Sequence, residues 1–172
     1  MTGDDGERLL VWLPRLRRYA RALAGQRDEA DDLVQDTLER AWSRLHLWRG
    51  VADMRAWLFG IMHNLHVDGV RRQRIAAVPL DDNDEASQAH ALPAAHDRIA
   101  LLDLQSALDA LPVEQKEVLL LVGLEDMSYA DAARTLGVPV GTVMSRLSRG
   151  RERLRALMEG RHEPVRLKVV KN

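Results

Sequence analysis

Thr142, Ser145, Arg146, Arg149 and Arg153 recur at three- and four-residue intervals near one end of the chain. On a helix turning ~100° per residue they share one stripe. Val143, Leu147, Gly150 and Leu154 gather about a third of a turn away and would face inward. Guanidinium groups pair bidentately with guanine edges or clamp phosphates, and hydroxyls donate to either, so the stripe has the chemistry of duplex reading. A second set is acidic: Asp31, Asp32, Gln35, Asp36 and Glu39 lie opposite an apolar helical face made by Ala30, Leu33, Val34, Thr37, Leu38, Ala41, Trp42 and Leu45. A third set would suit a metal. His63 and His66 stand three apart on a helix, and Asp31, Asp32 and Asp36 could add oxygens. No nucleophile motif, phosphate-binding glycine loop or His-Glu-x-x-His pattern accompanies them. These histidines are therefore read as solvated or core residues, with no catalytic residue, metal site or cofactor expected.

The elements that must position these residues are all helical. Leu9, Trp12, Leu13, Leu16, Tyr19, Ala20 and Leu23 predict a first helix, with Pro14 awkward inside it. The apolar face from Ala30 to Leu45 predicts a second, with Asp28 placed as its N-cap. Leu58, Ile61, Met62 and Leu65 predict a third that starts near Asp53 and ends in Arg71, Arg72 and Arg74. Between the last two, Gly50 breaks the pattern. Leu101, Leu104, Leu108 and Leu111 mark one face of a further helix, and Pro112 can open the next. Ser128 with Asp131 three residues on is a capping box. Ala132, Ala133 and Leu136 form a small apolar face, and Gly137 is placed to end that helix in the left-handed region. Val138 and Pro139 then turn the chain into the cationic helix. Helix, glycine turn, helix is the signature of a helix-turn-helix, whose second helix enters the DNA major groove. An arginine run by itself is usually a solvated face. Here the cap, the turn, the inward apolar set and the outward cationic set coincide, which favours DNA.

Composition agrees with this reading. Charged residues at 30% and aromatics at 4% suit solvated helices rather than a β-sandwich. The chain has no cysteine, which excludes disulfides and thiolate zinc sites and fits a cytoplasmic protein. The apolar run Leu9 to Leu13 is too short to span a bilayer, so no direct membrane insertion is expected. The net charge of −1 conceals a segregation. From Arg134 to Arg161 seven arginines stand against two acids, whereas Ile75 to Asp97 holds five acids and no lysine or arginine. That acidic stretch carries Pro79 and Pro93 without apolar periodicity, and reads as a flexible linker between two helical modules that have no fixed spacing.

Three segments together resemble the extracytoplasmic-function class of bacterial RNA polymerase sigma factors. "DEADDLVQDTLERAW" is similar to the family's helix for binding core polymerase, "MRAWLFGIMHNLHVDGVRRQR" to its minus-ten recognition and melting segment, and "MSYADAARTLGVPVGTVMSRLSRGRERL" to its minus-thirty-five helix-turn-helix. The resemblance implies an all-α protein of two small domains. Residues 7–74 would bind core polymerase and melt the minus-ten element, 75–97 would be the linker, 98–161 the helix-turn-helix domain, and 162–172 a tail. It sets Asp32, Gln35 and Asp36 against the clamp helices of the polymerase's largest subunit. Trp48, Arg49 and Gly50 would receive a flipped minus-ten base and Asn64 would line its pocket, while Arg71, Arg72 and Arg74 would touch phosphates. Trp48 could instead pack under its loop, Asn64 could be a surface amide, and Trp57 is read as core. Thr142, Ser145, Arg146, Arg149 and Arg153 would read the minus-thirty-five element. Met144 stands where the family usually has Lys or Arg. The implied partners are core RNA polymerase, promoter DNA and an anti-sigma factor. The runner-up is a helix-turn-helix repressor or response-regulator output domain, which would bind duplex DNA unaided.

Overall fold

Apolar residues at helical spacing put nearly every described residue into helix, and no strand occurs among the described residues. The computed structural model describes residues 3–48, 53–76 and 95–162. Arg49, Gly50, the body of the expected linker (77–94) and the tail beyond His162 lie outside them, as does the side chain of Arg74.

The first module contains α1 (Gly3–Leu10), α2 (Leu13–Ala24), α3 (Arg27–Arg44), a short 3₁₀ turn (Leu45–Leu47) and α4 (Met54–Ala76). The expected first helix is thus two helices. Pro14 is the reason: it sits in the first turn of α2, where a missing N–H costs nothing, so the chain breaks before it. The N-cap of α3 is Gln26 rather than Asp28, and Asp28 takes a first-turn position beside the positive end of the helix dipole. Asp53 does cap α4, its Oδ1 accepting from the Arg55 N–H at 3.0 Å. Leu16, Tyr19, Leu58, Phe59 and Met62 are fully buried, with Tyr19 and Phe59 packed edge to face at 5.0 Å. Trp42 departs from its expected place, being 46% exposed where its ring lies against Gly6 of α1.

The second module contains α5 (Ala95–Asp109), α6 (Val113–Leu119), a π-helical turn (Leu120–Leu124), α7 (Tyr129–Leu136) and α8 (Val140–His162). Leu108 and Leu111 are buried as expected, but Leu101 and Leu104 of the same face are exposed. Pro112 stands one residue ahead of α6 as its N-cap. Both ends of the expected 75–97 linker are helical, because α4 runs on to Ala76 and α5 begins at Ala95.

The two modules are docked, contrary to the expectation of no fixed spacing. One apolar cluster runs through both, from Leu16, Tyr19, Leu58 and Met62 to Val118, Leu121, Val143 and Leu147. Helix α4 lies on α7 so closely that a Cβ at Gly60 would come 3.5 Å from the Thr135 carbonyl oxygen. The second module also closes the C-terminal end of α2. The Lys116 ammonium donates to the Leu23 carbonyl at 2.6 Å and to Asp109 at 2.7 Å, and the Gln105 amide donates to the Ala22 carbonyl at 3.3 Å. These groups satisfy carbonyls that a helix end leaves without partners.

Candidate DNA-reading and partner-binding surfaces

The helix-turn-helix is assembled from local chemistry. Ser128 Oγ accepts from the Asp131 N–H at 3.0 Å and its hydroxyl donates to the Asp131 carboxylate at 2.7 Å, which fixes the start of α7. Asp131 also holds Arg134 and lies near Arg55 of α4. The hydrogen bonds from Ser128 and Arg134 keep its carboxyl below the usual carboxylate range, with the charges of Arg134 and Arg55 adding to the effect. Gly137 ends α7 at φ 65°, a left-handed conformation that costs glycine nothing. The Thr142 and Val143 N–H groups then bond the Pro139 carbonyl, starting α8. Val143 and Leu147 are buried, and Gly150 is small because a Cβ there would meet Leu119 at 3.0 Å.

With that face turned inward, Ser145, Arg149 and Arg153 are exposed and Thr142 and Arg146 half-buried. The stripe is partly pre-ordered: Arg149 donates to the Ser145 carbonyl and hydroxyl, both at 3.3 Å, and Ser145 donates to the Thr142 carbonyl at 3.1 Å. An arginine held along its helix loses less side-chain freedom on meeting DNA. Met144 is 52% exposed and stands off the stripe.

Asp32, Gln35 and Asp36 are all exposed on α3, and Gln35 donates to Glu39 at 3.2 Å. Asp32 and Asp36 line one bank of a groove of about 350 Å³ whose other bank is α4, with Leu65, His66 and Arg72. Asn64, Arg71 and Arg72 are exposed on α4, and Arg72 donates to the Asp68 carbonyl at 3.3 Å. Trp48 and Trp57 are half-buried and pack against the apolar core. The structure therefore aligns Asp32, Gln35 and Asp36 on one helix and the cationic stripe on another. It brings Arg71 and Arg146 to the same cleft, about 340 Å³ in volume, together with His63, Glu114 and Glu117.

His63 Nδ1 lies 2.6 Å from the Glu117 carboxylate, and no group of three or more metal-binding side chains occurs among the described residues. Burial lowers the pKa of His66, a shift that Glu117 opposes and that Lys116 and His63 reinforce. No helix among the described residues is long and apolar enough to cross a membrane.

Sequence reasoning missed a set of buried charges between the modules. Glu125 is wholly buried, and its carboxylate accepts from Arg15 at 2.8 Å and Arg18 at 2.9 Å. Glu117 is 2% exposed against His63. The Tyr19 hydroxyl is buried beside both acids, and burial first, then Glu117 and Glu125, raise its pKa well above that of a free tyrosine. The available signal was an acid on an apolar face, since Glu117 precedes buried Leu121 by four residues.

Residues 10–63 match the Sigma2 domain of PhyR, and residues 101–154 match Sigma-70, region 4. An ECF RNA polymerase sigma factor, EcfG of Rhodopseudomonas palustris (strain TIE-1), is 39% identical over 158 residues, covering 92% of this chain and 87% of that protein. The ECF sigma factor SigM of Mycobacterium tuberculosis is 36% identical over 149 residues, covering 84% and 71%. The sigma factor RpoE of Bartonella quintana, solved in a co-crystal with the anti-sigma factor NepR, matches with a TM-score of 0.74 and 34% identity over 92% of this chain and 98% of that one. A relative this similar along nearly the whole length, with the helix-turn-helix intact, shows that the chain belongs to the extracytoplasmic-function RNA polymerase sigma factors.

Proposed function

We propose that this sigma factor divides polymerase binding, promoter melting and promoter reading among three surfaces on two domains. Residues 7–74 form the first domain. Its Asp32, Gln35 and Asp36 bind the clamp helices of core RNA polymerase, a contact suited to an exposed polar-acidic helix face. Trp48, Arg49 and Gly50 receive a base flipped from the minus-ten element, Asn64 bonds its edge, and Arg71, Arg72 and Arg74 hold backbone phosphates. Residues 75–97 connect the domains, and residues 98–161 read the minus-thirty-five duplex through Thr142, Ser145, Arg146, Arg149 and Arg153. Met144 alters the flank of that contact. The observation that carries the reading is the capped α7, the left-handed Gly137 and the stripe of Ser145, Arg149 and Arg153 facing outward on α8. The protein works in the cytoplasm as a regulatory DNA-binding subunit, not as an enzyme. Because RpoE of Bartonella quintana was solved with an anti-sigma factor, an anti-sigma factor is proposed as the third partner here.

Three variants separate the surfaces. Arg149→Ala should cost about 1–3 kcal/mol of closed-complex affinity at the minus-thirty-five element and leave polymerase binding unchanged. Asn64→Ala should impair permanganate-detected melting more than initial binding. The double replacement Asp32→Ala with Gln35→Ala should weaken holoenzyme assembly and reduce transcription equally from every cognate promoter. If the double variant assembles normally while Arg149→Ala does not, this division of surfaces is wrong.

A further inference from the structure

Seven arginines stand between Arg134 and Arg161, and the duplex-reading stripe uses three of them, Arg146, Arg149 and Arg153. Asp131 holds Arg134. Arg151 and Arg155 have neither role. At ~100° per residue Arg151 falls about 200° round α8 from Arg149, and Arg155 about 240°, so both sit on the side of the helix away from the duplex that Arg149 reads. Both are exposed, and neither has an ion-pair partner among the described residues. They are also spaced i, i+4, where two like charges repel across one turn. An anionic group set against the pair would remove that repulsion.

The surface around them is shaped and partly apolar. An open concavity of about 320 Å³ is walled by Tyr129 from the first turn of α7 and by Met144, Ser148, Arg151, Glu152 and Arg155 from α8. Tyr129 is 39% exposed and Met144 52% exposed. The Ser128–Asp131 cap fixes the turn that carries Tyr129, so the ring is held in place rather than left to collapse onto the helix. Tyrosine, methionine and arginine side by side are the residue types that protein interfaces concentrate. Met144 is part of this signal, because it puts apolar surface where a further cation would be usual.

We propose that Tyr129, Met144, Arg151 and Arg155 form a docking face for an acidic, apolar segment of a second protein, which binds while the other side of α8 reads the minus-thirty-five duplex. The proposal rests on the assignment of that duplex to Ser145, Arg149 and Arg153. Two carboxylates one helical turn apart on the partner meet Arg151 and Arg155, and a leucine or aromatic side chain between them covers Tyr129 and Met144. A phosphate ligand fits less well. It would satisfy the arginines but leave the ring and the thioether in water, and its double charge would face Glu152 on the same wall. Because partner and DNA take different sides of one helix, they do not compete. A partner that also touches DNA or polymerase would therefore tether the helix-turn-helix to its site and add avidity to the contact.

The test uses the full chain, alone and as holoenzyme on a promoter that it transcribes. The probe is a fluorescein-labelled helical peptide with two glutamates one turn apart and leucine and phenylalanine between them, and anisotropy reads its binding. The peptide should bind both forms with the same affinity. The pair Arg151→Ala and Arg155→Ala should weaken it about tenfold, and so should replacing the peptide's glutamates by glutamine. Tyr129→Ala should weaken it as well. Alanine favours helix, so the arginine pair keeps α8, and circular dichroism checks this. The charge-reversed pair Arg151→Glu and Arg155→Glu should lose the glutamate peptide and gain its lysine counterpart, an exchange that mere damage to the fold would not produce. No binding to the unaltered chain, unchanged binding to the alanine pair, or displacement of the peptide by promoter DNA would each overturn the docking face. Displacement by inorganic phosphate at matched ionic strength would overturn it in favour of a small-anion site. If the alanine pair loses promoter affinity, the duplex assignment itself is refuted, since these arginines would then be touching DNA; the peptide titration of the free chain reads the docking face separately from that assignment.

Discussion

Asp126 shows most plainly how one residue can carry strain for the sake of its neighbour. It is exposed and adopts φ 52°, the only positive φ of a non-glycine residue among those described. An aspartate tolerates this region better than most residues, yet it still pays a steric cost that glycine avoids. Asp126 directly follows Glu125, whose carboxylate accepts from Arg15 and Arg18. Asp126→Gly should therefore raise stability by about 0.5–1 kcal/mol, whereas Asp126→Val should lower it, because a β-branched side chain is poorly accommodated at positive φ. Gly137 supplies the mirror case. No atom lies within 4 Å of a Cβ built there, so Gly137→Ala should cost about 1 kcal/mol through backbone strain alone. Urea denaturation of the three variants measures both effects. If Asp126→Gly destabilised the protein, the aspartate would have to be making a compensating contact, and the strain argument would fail.

At the scale of the element, α7 is the helix whose stability depends most clearly on pH. The hydrogen bonds of Asp131 favour its charged form, so its folded pKa lies below the ordinary 3.8. The unfolded chain then binds more protons than the native one as pH falls. The stabilisation is complete above about 3.8 and is lost as pH drops through the lower folded value. Asp131→Asn should lower the melting temperature at neutral pH, and the deficit should shrink as the pH falls below 3.8 and wild-type Asp131 takes up its own proton. Ser128→Ala, which removes the cap, should cost about 1 kcal/mol at neutral pH. A deficit for Asp131→Asn that stayed constant down to the acid limit would rule out this electrostatic account. The same element shows why part of the structure was legible in advance. The Ser128–Asp131 box, the left-handed Gly137 and the four-residue spacing of Val143 and Leu147 are local signals, and each fixes its own few residues. The alignment of Asp32, Gln35 and Asp36 on α3 and the cationic stripe on α8 could be read for the same reason. Leu101, Leu104 and Trp42 have the right periodicity but are exposed, since helical spacing says that residues share a face and not that a neighbour covers it. Pro14 was visible, but whether it would kink one helix or begin another depended on where the preceding helix ended. Glu125 was unreadable. Its partners lie more than 100 residues earlier, and the π-turn that aims it leaves no periodic trace.

Over the whole molecule, the domains share both an apolar core and a charged seam, and these respond differently to salt. Tyr19, Leu58 and Met62 belong to the same cluster as Val118, Leu121 and Val143, a contact that salt does not weaken. Arg15–Glu125 and Arg18–Glu125 lie nearer the surface on their arginine sides, where salt reaches them. A protease site introduced between residues 77 and 94 and then cleaved would remove the covalent connection and leave this interface as the sole link. At low ionic strength the two fragments should co-elute at the size of the intact 19.4 kDa chain. Raising the salt to about 1 M shortens the screening length to about 3 Å, and the fragments should then dissociate about tenfold more readily without losing their helical content. Analytical ultracentrifugation of the cleaved protein across a salt series measures this directly, and circular dichroism at each point separates dissociation from unfolding. Fragments that part at low salt would show that the docked arrangement depends on the covalent linker. Fragments that stay together with the same affinity at every salt concentration would show that the apolar cluster alone holds the modules. Only an affinity that falls with salt while the fragments remain folded assigns part of the closure to the arginines around Glu125.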